Sequence, residues 1–226
     1  MGLTTRLFGG ERSLLIAHIK EAMAGEVCPV CALAREAERR YLEMLLHERV
    51  NDEATREQLT QRHGFCPDHT GLLLAVGGYG CHAKVALLYQ AQVQALTREV
   101  AEMPDSGRVN GELISECAVC ATIARTEALY CELLAQRLND ERLRSAFQSG
   151  PTLCLRHFAR TYDQARPAVR AFLRAHQRER PDRLAQELGE FVRKSVCACA
   201  GETEPFGEER DAWLRALRLY DGALPR

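Results

Sequence analysis

The sequence lacks most of the marks of a membrane protein, a β domain or a nucleic-acid binder. Its longest apolar runs, such as LLLAV at 72–76, fall far short of the roughly 20 residues a bilayer-spanning helix needs. Alternating Val, Ile and aromatic residues are absent, so strands are not expected. Thirty Lys and Arg nearly balance 31 Asp and Glu, and a net charge of −1 gives no overall pull toward nucleic acid or anionic membrane. The N-terminal MGLTTRLFGGERSLLIAHIK has no signal-peptide order of charge, apolar stretch and cleavage site. Arg6 breaks the myristoylation pattern that Gly2 would open. A cytoplasmic location is expected, where thiols stay reduced. No Gly-rich phosphate loop or nucleophile motif is present, nor the Glu-x-x-His pairs of a di-metal bundle enzyme. No catalytic residue is therefore assigned, and the reading leans away from an enzyme.

What the chain does have is cysteine, ten in 226 residues, and these need a reason other than disulfides. They recur in register. CPVCALAREAERRYLEMLL from Cys28 matches CAVCATIARTEALYCELLA from Cys117, pairing Cys28 with Cys117, Cys31 with Cys120, Glu38 with Glu127 and Tyr41 with Tyr130. After one lost residue the match resumes, with Asn51 on Asn139, Asp52 on Asp140, Cys66 on Cys154 and His69 on His157. Agreement across two blocks with one gap marks an internal duplication.

Ala, Leu, Glu, Arg and Gln dominate both copies, which favours helix. Leu33, Ala37, Tyr41 and Leu45 keep helical spacing, as do Val85, Leu88, Gln92 and Leu96 less cleanly. MPDSGRVNG at 103–111 has linker composition. Pro167 opens a further helix with Val169, Phe172 and Leu173 on its apolar side. CACAGETEPFGEER then breaks the pattern before an amphipathic end built on Trp213, Leu214 and Leu217. The expected architecture is all-α: one compact unit over 1–226, made of tandem pseudo-symmetric repeats at 12–102 and 112–195 with a C-terminal extension at 196–226.

Each copy supplies Cys-x-x-Cys and, more than thirty residues later, Cys-x-x-His, the composition of a four-coordinate Cys3His site. Pro29 and Pro67 each follow a cysteine in the slot proline favours at a helix start, so Cys28 and Cys66 are placed at helix N-termini with Cys31 and His69 one turn in. Free N–H groups and the positive helix end there stabilise thiolates. Zinc, two ions per chain, is the expected metal, with an iron–sulfur cluster as the alternative. A thioredoxin-type redox pair leaves Cys66 and His69 unexplained. Inert buried cysteines have no reason to recur with a histidine attached.

CPVC…EAERRYLEMLL…VND…GFCPDH, the second copy ending LCLRH, and FVRK followed by a late Trp and LYDG resemble an uncharacterised bacterial family, a domain of unknown function with two helical Cys-x-x-Cys/Cys-x-x-His repeats. The resemblance runs from about Ile16 to Gly222. It implies one metal-type site at Cys28, Cys31, Cys66 and His69 and another at Cys117, Cys120, Cys154 and His157, and it implies no activity. After Lys194, SVCACAGE stands where the resemblance leads one to expect a polar and aromatic segment.

Glu38 and Glu127 lie seven residues after the second cysteine of each pair, on the same helix face and about 10 Å along it. That is too far for a ligand, but a carboxylate there could hold the free ring nitrogen of His69 or His157, cap a neighbouring helix or face solvent. Tyr41 and Tyr130 are expected in the core with partnered hydroxyls. Cys131 is also expected there, and His18, His47, His63 and His176, unmatched between copies, read as ordinary, while Cys81 and His82 have no counterpart pair. Arg166, Arg170, Arg174 and Arg178 form a basic stripe, either a solvated face or a docking site for an acidic partner or a phosphate backbone. With no interleaved aromatics it does not support base stacking. The expected function is a zinc-stabilised, non-enzymatic interaction or adaptor module with a protein partner. The rivals are an iron–sulfur electron-transfer or redox-sensing protein and a thiol-based sensor using Cys197 and Cys199.

Overall fold

Ala-, Leu- and Glu-rich segments, punctuated by Pro and Gly, fold as helices throughout the described part of the chain. The computed structural model describes residues 4–103, 117–199 and 204–222, and among these no strand occurs. The elements are α1 (Thr4–Ala22), α2 (Pro29–Met44), α3 (Glu53–Gln61), α4 (Pro67–Gly77), α5 (His82–Ala101), α6 (Ala118–Arg137), α7 (Glu141–Ser149), α8 (Leu155–Gln164), α9 (Pro167–Cys199) and α10 (Ala212–Asp221). A π turn at Leu45–Arg49 prolongs α2, and a 3₁₀ turn at Glu208–Asp211 leads into α10. The fold class is all-α, as expected. Beyond Met103 the linker segment lies outside the described residues, as do the side chains of Cys197 and Cys199.

The order α2–α3–α4–α5 recurs as α6–α7–α8–α9, and the recurrence is written in the helix starts. Asp52 caps α3 by accepting from Thr55 N at 3.1 Å, and Asp140 caps α7 by accepting from Arg142 N at 3.0 Å and Leu143 N at 3.2 Å. Cys66 and Cys154 take nearly identical extended backbone angles ahead of α4 and α8.

The chain divides into two compact units, one made of Met1–Leu33 with Glu127–Arg226, the other of Ala34–Thr126. The division follows neither the expected repeats nor the 103–111 linker. It cuts α2 and α6, each of which begins in one unit and ends in the other.

The first unit buries Ile19, Leu134, Leu138, Leu143, Phe147, Leu153 and Leu173, with α7 against α1 and α9 against α8. Each such side chain contributes about 2 kcal/mol through removal of apolar surface from water. His176 lies 5.1 Å from the Phe147 ring and stacks on Phe172, and burial pushes its pKa down. After α9 the chain doubles back. Arg193 meets Glu204 at 2.6 Å, Lys194 meets Glu209 at 2.7 Å and Arg215 meets Glu187 at 2.5 Å, which lays α10 along α8 and α9. The second unit packs α3 on α5 around Leu42, Leu46, Leu59, Leu73 and Leu88.

Candidate metal centres

All four cysteine motifs use the same local device. The carbonyl of the first residue accepts the first helical hydrogen bond, from Ala32 to Cys28, Thr70 to Cys66, Ala121 to Cys117 and Phe158 to Cys154, at 2.8–3.0 Å. Each first cysteine is thus the N-cap of its helix, and the ligand three residues on points to the same side. Four N-terminal helix turns therefore present four pairs of donors.

The pairs combine across the two copies. Cys28 and Cys31, heading α2, meet Cys154 and His157, heading α8; Cys66 and His69, heading α4, meet Cys117 and Cys120, heading α6. The grouping implied by the family resemblance, with Cys28 and Cys31 joined to Cys66 and His69, and Cys117 and Cys120 to Cys154 and His157, is corrected by this geometry. The two Cys-x-x-His pairs offer the same donors, so motif spacing does not choose between them, and about 30 Å of helix, α2 with its π turn, stands between Cys28 and the next pair along the chain. Each group lies wholly inside one compact unit.

In the first centre His157 Nδ1 stands 3.5 Å from Cys28 Sγ, 3.2 Å from Cys31 Sγ and 3.2 Å from Cys154 Sγ, with Cys31 and Cys154 sulfurs 3.7 Å apart. In the second, His69 Nδ1 stands 3.0 Å from Cys66 Sγ, 3.6 Å from Cys117 Sγ and 3.4 Å from Cys120 Sγ, with Cys66 and Cys120 sulfurs 3.9 Å apart. A tetrahedron with zinc–sulfur bonds near 2.3 Å and zinc–nitrogen near 2.0 Å has edges of about 3.8 and 3.6 Å. The donor sets fit a single ion of that kind. The first centre is fully buried, whereas Cys66 and Cys120 are half-buried.

The other ring nitrogen of each histidine faces a glutamate. His69 Nε2 is 2.9 Å from Glu38 Oε1, and His157 Nε2 is 3.3 Å from Glu127 Oε1, a contact not aligned as a hydrogen bond. Glu127 is itself held by Arg156 and lies 3.7 Å from Arg160. These carboxylates fix which nitrogen points at the thiols. Of the three roles open to these carboxylates, Glu38 takes this one through a hydrogen bond, while Glu127 lies beside the His157 ring and is bound by Arg156.

The groups of each centre shift one another. Burial alone would lower His157, but the thiols of Cys154 and Cys28 and the Glu127 carboxylate beside the ring push its pKa up to about 11. Hydrogen bonds from Cys28 and Cys31 hold the Cys154 thiol far below its ordinary range, while the bond to Cys154 raises Cys31. Burial pushes Cys117 up, yet N–H donors of Cys120, Cys66 and Val119 bring it below its ordinary value, and burial raises Cys120 to about 12. A dication bound there would displace these protons and offset the charge of the thiolates.

A family profile described as "Family of unknown function (DUF6062)" matches residues 12–226. The chain belongs to this family. No curated protein and no solved structure matches it. Membership in DUF6062 accounts for the resemblance seen in the motifs and assigns no activity.

Two residues of the first centre escaped sequence reasoning. Cys131, expected only as core, is fully buried and directs its Sγ to the His157 carbonyl at 4.0 Å. Gly222 ends α10 at φ +69°, and a Cβ there would lie 2.2 Å from Cys31 Sγ and 3.0 Å from Cys154 Sγ. Only glycine allows the backbone this close to the sulfurs in that conformation. The available signal was LYDG, read as resemblance rather than as a cover for the centre.

Tyr130 is buried with its hydroxyl 3.5 Å from His18 Nδ1, whereas Tyr41 is half-buried at a cavity wall. Cys81 is buried ahead of α5 and approaches Gly77; His63 pairs with Glu99 at 2.8 Å. Within the arginine stripe, Arg170 donates to the Tyr162 and Asp163 carbonyls at the end of α8, so it has a structural task. Arg166, Arg174 and Arg178 are exposed. Among the described residues no helix is long and apolar enough to cross a membrane.

Proposed function

We propose that the chain is a zinc-carrying helical protein whose two Cys3His centres hold the fold, and that it acts as a non-enzymatic interaction module. The spacing of the donors carries the reading. In each centre all four donor atoms lie within 4.8 Å of one another, the span of ligands sharing one ion. In a four-iron cluster each ligand sits on a different iron, and in a two-iron cluster the two ligand pairs sit on different irons, which spreads the four ligands wider; the spacing therefore favours zinc. Each centre offers four donors, and catalytic zinc keeps one position for water, so the ligand count favours a structural role.

The interaction reading is supported by apolar surface at helical spacing. Val93, Leu96 and Val100 on α5 are 59%, 47% and 54% exposed, and Trp213, Leu217 and Tyr220 on α10 are 46%, 45% and 66% exposed. Contiguous apolar stripes of this kind mark protein contact sites. Metal analysis with a visible spectrum on anaerobically purified protein tests the first part. Two zinc ions per chain and no band are expected; stoichiometric iron and sulfide with absorbance near about 400 nm would refute it. Leu96→Glu and Leu217→Glu test the second part. They should remove a co-purifying protein without lowering the melting temperature; unaltered capture by both would refute it.

A further inference from the structure

In the unit formed by Ala34–Thr126, a cavity of about 260 Å³ opens where the regular helix of α2 gives way to the π turn. π insertions in α-helices are rare and often mark functional sites. One wall is apolar, built from Met44, Leu45 and Leu59, with Ala118 and Ala121 from the first turn of α6. The rest carries Tyr41, Thr55, Gln58, Arg49, Arg62 and Arg125, and among the described lining residues none is acidic. Asp52, close to Arg49 in sequence, is turned to Thr55, whose N and Oγ1 lie 3.1 and 2.5 Å from its Oδ2. Arg125 donates to Thr122 Oγ1 at 3.2 Å, which steadies it along α6.

We propose that this cavity is a binding site for a small organic phosphate, with the phosphoryl group on Arg49 and Arg125 beside the Tyr41 hydroxyl and the organic part on the Leu45–Leu59 wall. Guanidinium groups present planar forks of donors, and several lining one cavity offer more N–H groups than a carboxylate's two oxygens can accept. A phosphoryl group has three oxygens and up to two charges, which match such forks. Burial, together with negative charge on Cys117, pushes the Tyr41 phenol up, so its hydroxyl stays protonated and can donate, although Arg62, Arg49 and Arg125 act the other way. The larger cavity, about 410 Å³ beside Cys28, lacks this character. Glu26 and Glu187 line it, its Arg183, Arg215 and Arg218 pair with Glu187, Glu208 and Glu26, and its Arg180 donates to the Gln148 carbonyl.

Calorimetry on the full, metal-loaded chain tests the assignment with phenyl phosphate, inorganic phosphate and benzoate as probes. Phenyl phosphate should bind saturably at one site per chain, and added salt should weaken it. Arg49→Gln and Arg125→Gln should each weaken it about 10-fold or more, and Tyr41→Phe about 3-fold. Arg178→Gln, an exposed arginine in the other unit, should leave affinity unchanged. Arg49 and Arg125 are both exposed, so the variants should keep the wild-type melting temperature, which is measured alongside. Absence of saturable binding at millimolar phenyl phosphate, or binding that survives the Arg49→Gln/Arg125→Gln double variant, would overturn the site. Equal affinity for inorganic phosphate would overturn the organic part of the ligand, and equal affinity for benzoate the phosphoryl part.

Discussion

Removing ligands two at a time tests the crossed pairing directly. Cys31 and Cys154 share a centre, and their sulfurs are 123 residues apart in sequence; Cys66 and Cys120 share the other, 54 residues apart. A metal joining such points closes a loop that free chain must otherwise close by chance. The loop-entropy relation used for cross-links gives about 5 kcal/mol for the longer loop and about 4 kcal/mol for the shorter. Either value approaches the whole net stability of an ordinary domain, about 5–15 kcal/mol. Loss of one centre should therefore lower the urea midpoint strongly and cooperatively within its own unit. The deciding assay is metal stoichiometry in double variants. Cys31→Ser/Cys154→Ser should keep one metal per chain, because both changes fall in one centre. Cys31→Ser/Cys66→Ser should keep none. The opposite outcome, one metal in the second variant and none in the first, would mean that each copy binds its own ion and would refute the crossing.

A chelator titration should be biphasic, with the half-buried Cys66/His69/Cys117/Cys120 centre emptied first, and single-ligand variants read by metal analysis would identify the phases. Glu38→Gln and Glu127→Gln should each weaken metal retention roughly 10-fold in chelator competition, because the histidine loses the carboxylate that orients it. Gly222→Ala should release the metal of the first centre alone, since the new Cβ meets Cys31 Sγ and φ is positive; retention of both ions would show that α10 does not cover the centre. Glu209, hydrogen-bonded by Lys194 and Gly207 N, has its pKa held down to about 2. A lowered folded-state value stabilises above the unfolded pKa, near about 4.3, and the effect fades as pH falls toward 2. The difference in urea midpoint between wild type and Glu209→Gln at matched pH should therefore shrink below about pH 4 and vanish near 2.

The helical class was legible from composition, and the eight candidate ligands from their recurrence, because both signals are local. Proline after Cys28 and Cys66 gave the helix starts, and a step of seven from Cys31 and Cys120 put Glu38 and Glu127 within reach of a histidine. The pairing was not legible. The two Cys-x-x-His pairs are chemically equivalent partners for either Cys-x-x-Cys, and the choice between them is made by how the helices pack, which no local pattern states. Arg49, Arg62 and Arg125 are likewise scattered in sequence, and the cavity that unites them depends on a π turn with no motif of its own.

The crossed arrangement also sets an order of assembly on the ribosome. The centre at Cys66, His69, Cys117 and Cys120 has all its donors once Cys120 emerges, while Cys28 and Cys31 must wait for His157, whose Nδ1 is 126 residues beyond Cys31. At about 5–20 residues per second that delay lasts several seconds or more. During it the only Cys-x-x-His available to Cys28 and Cys31 is the wrong one, Cys66 with His69. A nascent chain that captured an ion there would hold a non-native knot of four correct donors. Correct folding then depends on that ion being exchanged, or on α2 extending early enough to keep the two pairs apart.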